Sequence, residues 1–219
     1  MSEYFLRQIA LWGEDTQNSL KDKKIAIIGS GGLGSSLGYA LSSSGIGEIS
    51  IVDFDTVSLH NIHRQILFGM EDIGKYKAEV FKEKLEKRYD GVKINVYLQD
   101  FETWSKKGLK FDLILDATDN MPTRALIDDF AKNTNTPWIY SSVEGFNGQL
   151  CFMYNAKLDF VKINDRLPGG IAAPIVMFMA SFEANLAIRY LAGLEVKKDM
   201  LYYLDMSSGE LNISKFSVR

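Results

Sequence analysis

Apolar positions along this chain fall into short unbroken runs separated by helically spaced stripes. Lys24–Ile28 (K-I-A-I-I) reads as a buried strand running straight into Gly29-Ser30-Gly31-Gly32-Leu33-Gly34. A helical stretch over 33–44 follows, stopped by Gly45-Ile46-Gly47, and Glu48–Val52 is a second apolar strand closing on Asp53-Phe54-Asp55. This β-α-β order predicts parallel pairing with a right-handed crossover. Residues 75–89 set Ala78, Val80, Phe81 and Leu85 among lysines and glutamates, an amphipathic helix.

The alternation continues with strands at 93–98 and 111–115, a helix at 122–132 and a strand at 138–142. A strand at 149–154 and a long helix at 174–192 come next. A closing hairpin pairs 202–205 with 211–216 around Ser207-Ser208-Gly209. The expected fold class is α/β: a Rossmann-like, mostly parallel sheet with helices on both faces and antiparallel strands toward the C-terminus. No repeat or Pro/Ser-rich linker divides the sequence, so 1–219 is expected to form a single domain.

Charge and cysteine content narrow the classes. The 25 Lys+Arg against 28 Asp+Glu leave a net charge of −3, giving no electrostatic case for nucleic acid or anionic membrane as a partner. Cys151 is the single cysteine, so neither an internal disulfide nor a multi-cysteine zinc site is expected, and a reducing cytoplasm fits. The N-terminus lacks the charged-then-apolar order of a signal peptide. The longest apolar run, 171–182, stops at Glu183, short of the ~20 residues that span a bilayer.

A strand–GxGxxG–helix lets backbone approach a phosphate and aims a helix N-terminus at negative charge. Asp53, at the end of the second strand, is placed to accept from ribose hydroxyls. The loop alone does not separate ATP from a dinucleotide. Asn61, Arg64 and Gln65 follow within H-N-I-H-R-Q, Lys77 in G-K-Y-K-A-E, and Asp119 after the fourth strand in A-T-D-N. An arginine, a lysine and a carboxylate near adjacent strand ends suit a triphosphate with a divalent metal. Duller roles exist for each: Lys77 as a solvated lysine, Arg64 paired with an acid, and Asp119 as the cap of the helix near Pro122. His60 and His63 lack a third ligand and read as loop or core histidines.

At these residues the sequence resembles the ThiF/MoeB/HesA group, bacterial relatives of the ubiquitin-activating enzymes. The resemblance runs from R-Q-I-A-L-W-G (7–13) through G-S-G-G-L-G, D-F-D-T-V-S-L-H-N-I-H-R-Q (53–65), G-K-Y-K-A-E, A-T-D-N and G-Q-L (148–150). It implies an adenylation domain that uses ATP and Mg²⁺ to activate the terminal glycine carboxylate of a small ubiquitin-like sulfur carrier ending in Gly-Gly. Carried over by position, Gly29, Gly31, Gly32, Asp53, Asp55, Asn61, Gln65 and Asn120 bind the nucleotide, Gly32 lying against it and Asp53 holding the ribose. Arg64 and Lys77 contact phosphates, and Asp119 serves the metal. Arg7 resembles an arginine that reaches a neighbouring subunit's phosphate site, which implies a homodimer.

Two departures qualify the resemblance. The C-x-x-C pairs that hold structural zinc in many relatives are missing, and the loop over 155–173 has no cysteine for a thioester or persulfide. Cys151, in Q-L-C-F-M, reads as a buried packing residue, so adenylation is expected with sulfur delivered by something else. Alternatives are an adenylating dehydratase acting on a modified tRNA base, an inactive partner subunit, and an NAD-dependent oxidoreductase.

Overall fold

The computed structural model describes residues 3–160 and 169–219. Each apolar run expected to be a strand becomes one, and all eight join a single sheet. At its centre lies β1 (Lys24–Ile28), buried over its last four residues, with β2 (Glu48–Val52) parallel on one side and β4 (Leu113–Asp116) parallel on the other. Beyond β2 lies β3 (Lys93–Tyr97), and beyond β4 lies β5 (Trp138–Glu144), both parallel to their neighbours. The remaining strands, β6 (Asn147–Met153), β7 (Met200–Asp205) and β8 (Asn212–Ser217), pair antiparallel in succession.

The order β3-β2-β1-β4-β5 means that the chain reverses direction across the sheet between β1 and β4. The crossovers on the two sides of that point leave in opposite directions. They open a crevice at the carboxyl ends of β1 and β4, where ligands of such sheets bind.

Two helical layers cover the sheet. On one face α3 (Gly32–Leu41), α4 (Lys77–Arg88) and α7 (Ala173–Leu191) bury Leu37, Phe81, Leu85 and Met179 against Ile27, Leu115 and Ile139. On the other, α5 (Phe101–Ser105) and α6 (Met121–Thr134) bury Trp104, Ile127 and Ala131 against Ala26, Ile114 and Trp138. Each such apolar side chain contributes about 1.5–3 kcal/mol on leaving water, which holds strands and helices in one register.

Several boundaries differ from the expectation, for identifiable reasons. Helix α4 starts at Lys77 rather than 75 because Gly74 and Lys75 bond to Val57 instead. The fourth strand starts at Leu113 and includes Asp116, whose carboxylate is paired inside the protein. β5 and β6 meet in a tighter hairpin, turning at Gly145 with φ of +60°. Three helices escaped the pattern: α1 (Leu6–Trp12), α2 (Glu14–Ser19) and α5. They span two turns or fewer, too short to display a 3.6-residue period. Glu183, which interrupts the apolar run in the sequence, lies mid-α7 and fully buried. Of the cysteine-free loop over 155–173, residues 161–168 lie outside the described residues.

Candidate functional site

The crevice begins with the glycine loop. β1 ends and the chain turns at Gly29, whose φ is +94°. A Cβ there would stand 2.6 Å from the carbonyl oxygen of Ala117, which follows β4, so glycine is what lets the two strand ends approach. Gly34 closes on the same turn: its Cβ would fall 2.0 Å from the Gly29 oxygen. Gly31 caps α3, and Gly32, its first residue, lies against Val176 of α7 and Arg64. The N-terminus of α3 therefore opens at the strand ends, presenting amide donors to an anion.

Asp53 fastens this loop to the end of β2. Its Oδ2 accepts from the Ser30 amide at 2.6 Å and the Ser30 hydroxyl at 2.8 Å, and its Oδ1 accepts from the Asp55 amide at 2.7 Å. A carboxylate offers about four lone-pair positions, so one remains for a ribose hydroxyl. Sequence reasoning did not single out Ser30, although its place inside the glycine loop was the available signal.

Beyond Asp55 the chain folds over the crevice. Asn61 is nearly buried, and its Oδ1 accepts from the Arg64 guanidinium at 3.2 Å. Arg64 also donates to the His60 carbonyl at 3.2 Å and lies 2.8 Å from His63 Nε2. Among the described residues it has no carboxylate partner. Gln65 is buried beside Gly31, and its Oε1 has no hydrogen-bond partner among the described residues. A buried acceptor left open beside a glycine loop fits a ligand that brings a donor. His60 and His63 are exposed loop residues.

Lys77 reaches the crevice through a small ribbon. The amide of Val57 donates to Lys75 O, that of Gly74 to Val57 O and that of Lys77 to Asp55 O, each at 2.9 Å. This brings α4's first residue beside the end of β2. Lys77 is only 5% exposed, and its Nζ donates to Asp55 Oδ2 at 2.9 Å. It is not one more solvated lysine of a charged helix.

On the β4 side, Asp119 and Asn120 are both exposed at the start of α6. The cap of that helix is Asn120, whose Oδ1 accepts from the Thr123 amide at 2.9 Å. Asp119 is thereby relieved of the capping role that its position allowed. Behind them Arg124, unforeseen from the sequence, ties the segment down: Nε donates to Asp116 Oδ2 at 2.9 Å, and one terminal nitrogen donates to the carbonyls of Thr118 at 2.7 Å and Ser141 at 2.9 Å. Burial pushes the Asp116 carboxyl up, opposed by the Arg124 guanidinium and by the Thr118 hydroxyl and amide.

Two residues lie apart from this gathering. Arg7 is exposed on α1, which docks where Gln8 donates to Ser44 O at 3.0 Å, just past the end of α3. Because α3 runs away from the glycine loop for ten residues, ~15 Å, Arg7 stands at the opposite end of its own chain's sheet. Cys151 is buried in β6, and burial pushes its thiol up to about 12, the behaviour of an inert packing residue. Two hollows, of about 40 and 470 Å³, are lined by Asp128 and Trp138 in one case and by Glu79 and Leu98 in the other; neither borders the glycine loop.

A family model described as the ThiF family matches residues 5–219. The chain belongs to the ThiF family. It is similar to the sulfur carrier protein ThiS adenylyltransferase of Escherichia coli K12, 32% identical over 220 residues, 95% of this chain and 86% of the relative. The molybdopterin-synthase adenylyltransferase of the same organism is 33% identical over 202 residues, covering 85% and 81%. The chain also matches the probable adenylyltransferase/sulfurtransferase MoeZ of Mycobacterium tuberculosis at 30% identity, covering 83% of this chain but only 51% of that longer protein. Among solved structures, E. coli MccB shares the fold with a TM-score of 0.88 at 21% identity, over 99% of this chain and 70% of that one.

Among the described residues of this ThiF-family chain, no three His, Cys, Asp or Glu side chains cluster to hold a metal. Mg²⁺ does not need such a cage; it keeps several waters and takes one or two carboxylates plus substrate phosphates. The exposed Asp119 at the crevice fits that pattern. No described helix is long and apolar enough to cross a membrane.

Proposed function

We propose that this protein adenylates the C-terminal glycine carboxylate of a small ubiquitin-like sulfur carrier, with ATP as co-substrate and pyrophosphate as product. The observation that carries this reading is the meeting of Gly29–Gly34, Asp53, Arg64, Lys77 and Asp119 at the carboxyl ends of β1, β2 and β4. Hydride transfer has no use for that charge set, whereas phosphoryl chemistry depends on it. Relatives at 32% and 33% identity are named as adenylyltransferases, one for ThiS and one for molybdopterin synthase.

In this reading the free lone pair of Asp53 takes a ribose hydroxyl, and the α3 amides face phosphate oxygens. Asn61, Gln65 and Asn120 complete the nucleotide's surroundings, with Asp55 standing behind Lys77. The glycine carboxylate attacks the α-phosphorus, the bond to the bridging oxygen breaks, and pyrophosphate leaves. Arg64 and Lys77 offset the charge that builds on the α-phosphate oxygens. Asp119 would hold Mg²⁺, which supplies neutralisation of phosphate charge. The whole chain acts as one adenylation domain in a cytoplasmic homodimer, with Arg7 serving the partner's site and sulfur supplied from elsewhere.

The test is exchange of radiolabelled pyrophosphate into ATP. Exchange is expected only with a carrier ending in Gly-Gly; equal exchange with a carrier trimmed of its last glycine rejects the proposal.

A further inference from the structure

Lys77 and Asp55 form an ion pair whose two ends sit in different solvents. The lysine side chain is 6% exposed and the aspartate side chain 59%. Water therefore already solvates the carboxylate, whereas the ammonium depends on its partner, since an unpaired buried charge is costly. The pair is held in place by backbone. The Asp55 carbonyl accepts from the Lys77 amide, Thr56 bridges Tyr76, and the Asp55 amide is fixed on Asp53. Among the described residues no second carboxylate pairs with Lys77.

We propose that Asp55 is the resident counterion of Lys77, a positioning residue that holds the ammonium in the crevice and yields it to the nucleotide triphosphate. This rests on the adenylation reading and departs from the expectation that Asp55 itself binds the nucleotide. The exchange is favourable by asymmetry. When phosphate oxygens take the ammonium, Lys77 trades one carboxylate for a more highly charged acceptor, and Asp55 returns to water at little cost. After pyrophosphate has left, the carboxylate reclaims the lysine and assists release. Asp55 also competes with the triphosphate and repels it, so the site gives up some affinity for a lysine that stays charged and aimed.

The consequence runs against the usual result of removing an acid from a nucleotide site. Asp55→Asn should tighten nucleotide binding, about tenfold with the non-hydrolysable analogue AMPCPP and Mg²⁺ in calorimetry, because the free enzyme loses its ion pair and the complex loses a repulsion. Without nucleotide, acylation of Lys77 by acetic anhydride, followed by peptide mass spectrometry, should rise at least about tenfold in Asp55→Asn. Labelling of Lys87 should not change. AMPCPP should restore protection of Lys77. Asp55→Glu, which keeps the charge, should resemble wild type in both measurements and guards against a fold defect in Asp55→Asn. In a Lys77→Met background the tightening should shrink to the repulsion alone.

Unchanged Lys77 labelling in Asp55→Asn, or weaker nucleotide binding in that variant, overturns the proposal. If wild type binds no nucleotide, the adenylation reading and the hand-over fail together, while the labelling arm still decides whether Asp55 holds Lys77.

Discussion

Arg124 donates from Nε to Asp116 Oδ2 at 2.9 Å, with both side chains buried beneath the segment that carries Asp119. The same guanidinium holds Thr118 O and Ser141 O, so one side chain joins the end of β4, the start of α6 and β5. Arg124→Ala strands a buried carboxylate and should cost ~3–5 kcal/mol in urea denaturation. Arg124→Lys keeps the charge but cannot serve three acceptors in one plane, so it should recover only part of that loss.

Neighbouring residues at the start of α6 divide capping from chemistry. Asn120→Ala removes the bond to the Thr123 amide and should cost ~1 kcal/mol of stability. Asp119→Ala should leave the melting transition near wild type and reduce turnover by ~100-fold, the scale of one electrostatic stabiliser. A variant of Asp119 that melts early and keeps its turnover contradicts this division of labour.

Glu183 lies fully buried mid-α7, with the Ser141 hydroxyl beside its carboxyl. Burial, reinforced by Asp116, pushes its carboxyl well above the usual carboxylate range, while Ser141 and Arg124 pull the other way. The sign follows from proton counting. Above about pH 4.5 the unfolded chain ionises this group and the folded chain does not, so the folded state binds more protons and stability falls as pH rises. The slope is ~1.4 kcal/mol per pH unit until the folded group itself ionises. Glu183→Gln should therefore stabilise the protein, and more at pH 8 than at pH 5, as measured by denaturant midpoints.

Arg7 lies too far along the molecule to serve its own crevice, so its role tests assembly. Arg7→Ala and Asp119→Ala subunits should each be weakly active alone. If Arg7 acts in the partner's site, a mixed dimer has one doubly defective and one intact site, and activity should recover toward half of wild type. Mixing that restores nothing leaves Arg7 without a role in the partner's site.

The local pattern determined the eight strands, the glycine loop and the placement of Asp53 and Asp119 just past strand ends, because each depends on a handful of consecutive residues. An apolar run specifies a buried strand, and glycines between a strand and a helix specify a close turn wherever the rest of the chain goes. Tertiary structure decided what those side chains touch. Lys77 is buried and paired 22 residues back along the chain, because a ribbon through Val57 and Gly74 brings it there. The helix cap went to Asn120 rather than Asp119 because α6 begins at Met121, and the residue just before the first helical one holds the cap. Glu183 fell inside the helix expected at 174–192, and only the packing of α7 on the sheet buried it. Arg124 gained Ser141 O as its third acceptor only when β4 and β5 lay side by side. Pairings of this kind depend on distances between elements far apart in sequence, and no periodicity within a single element encodes them.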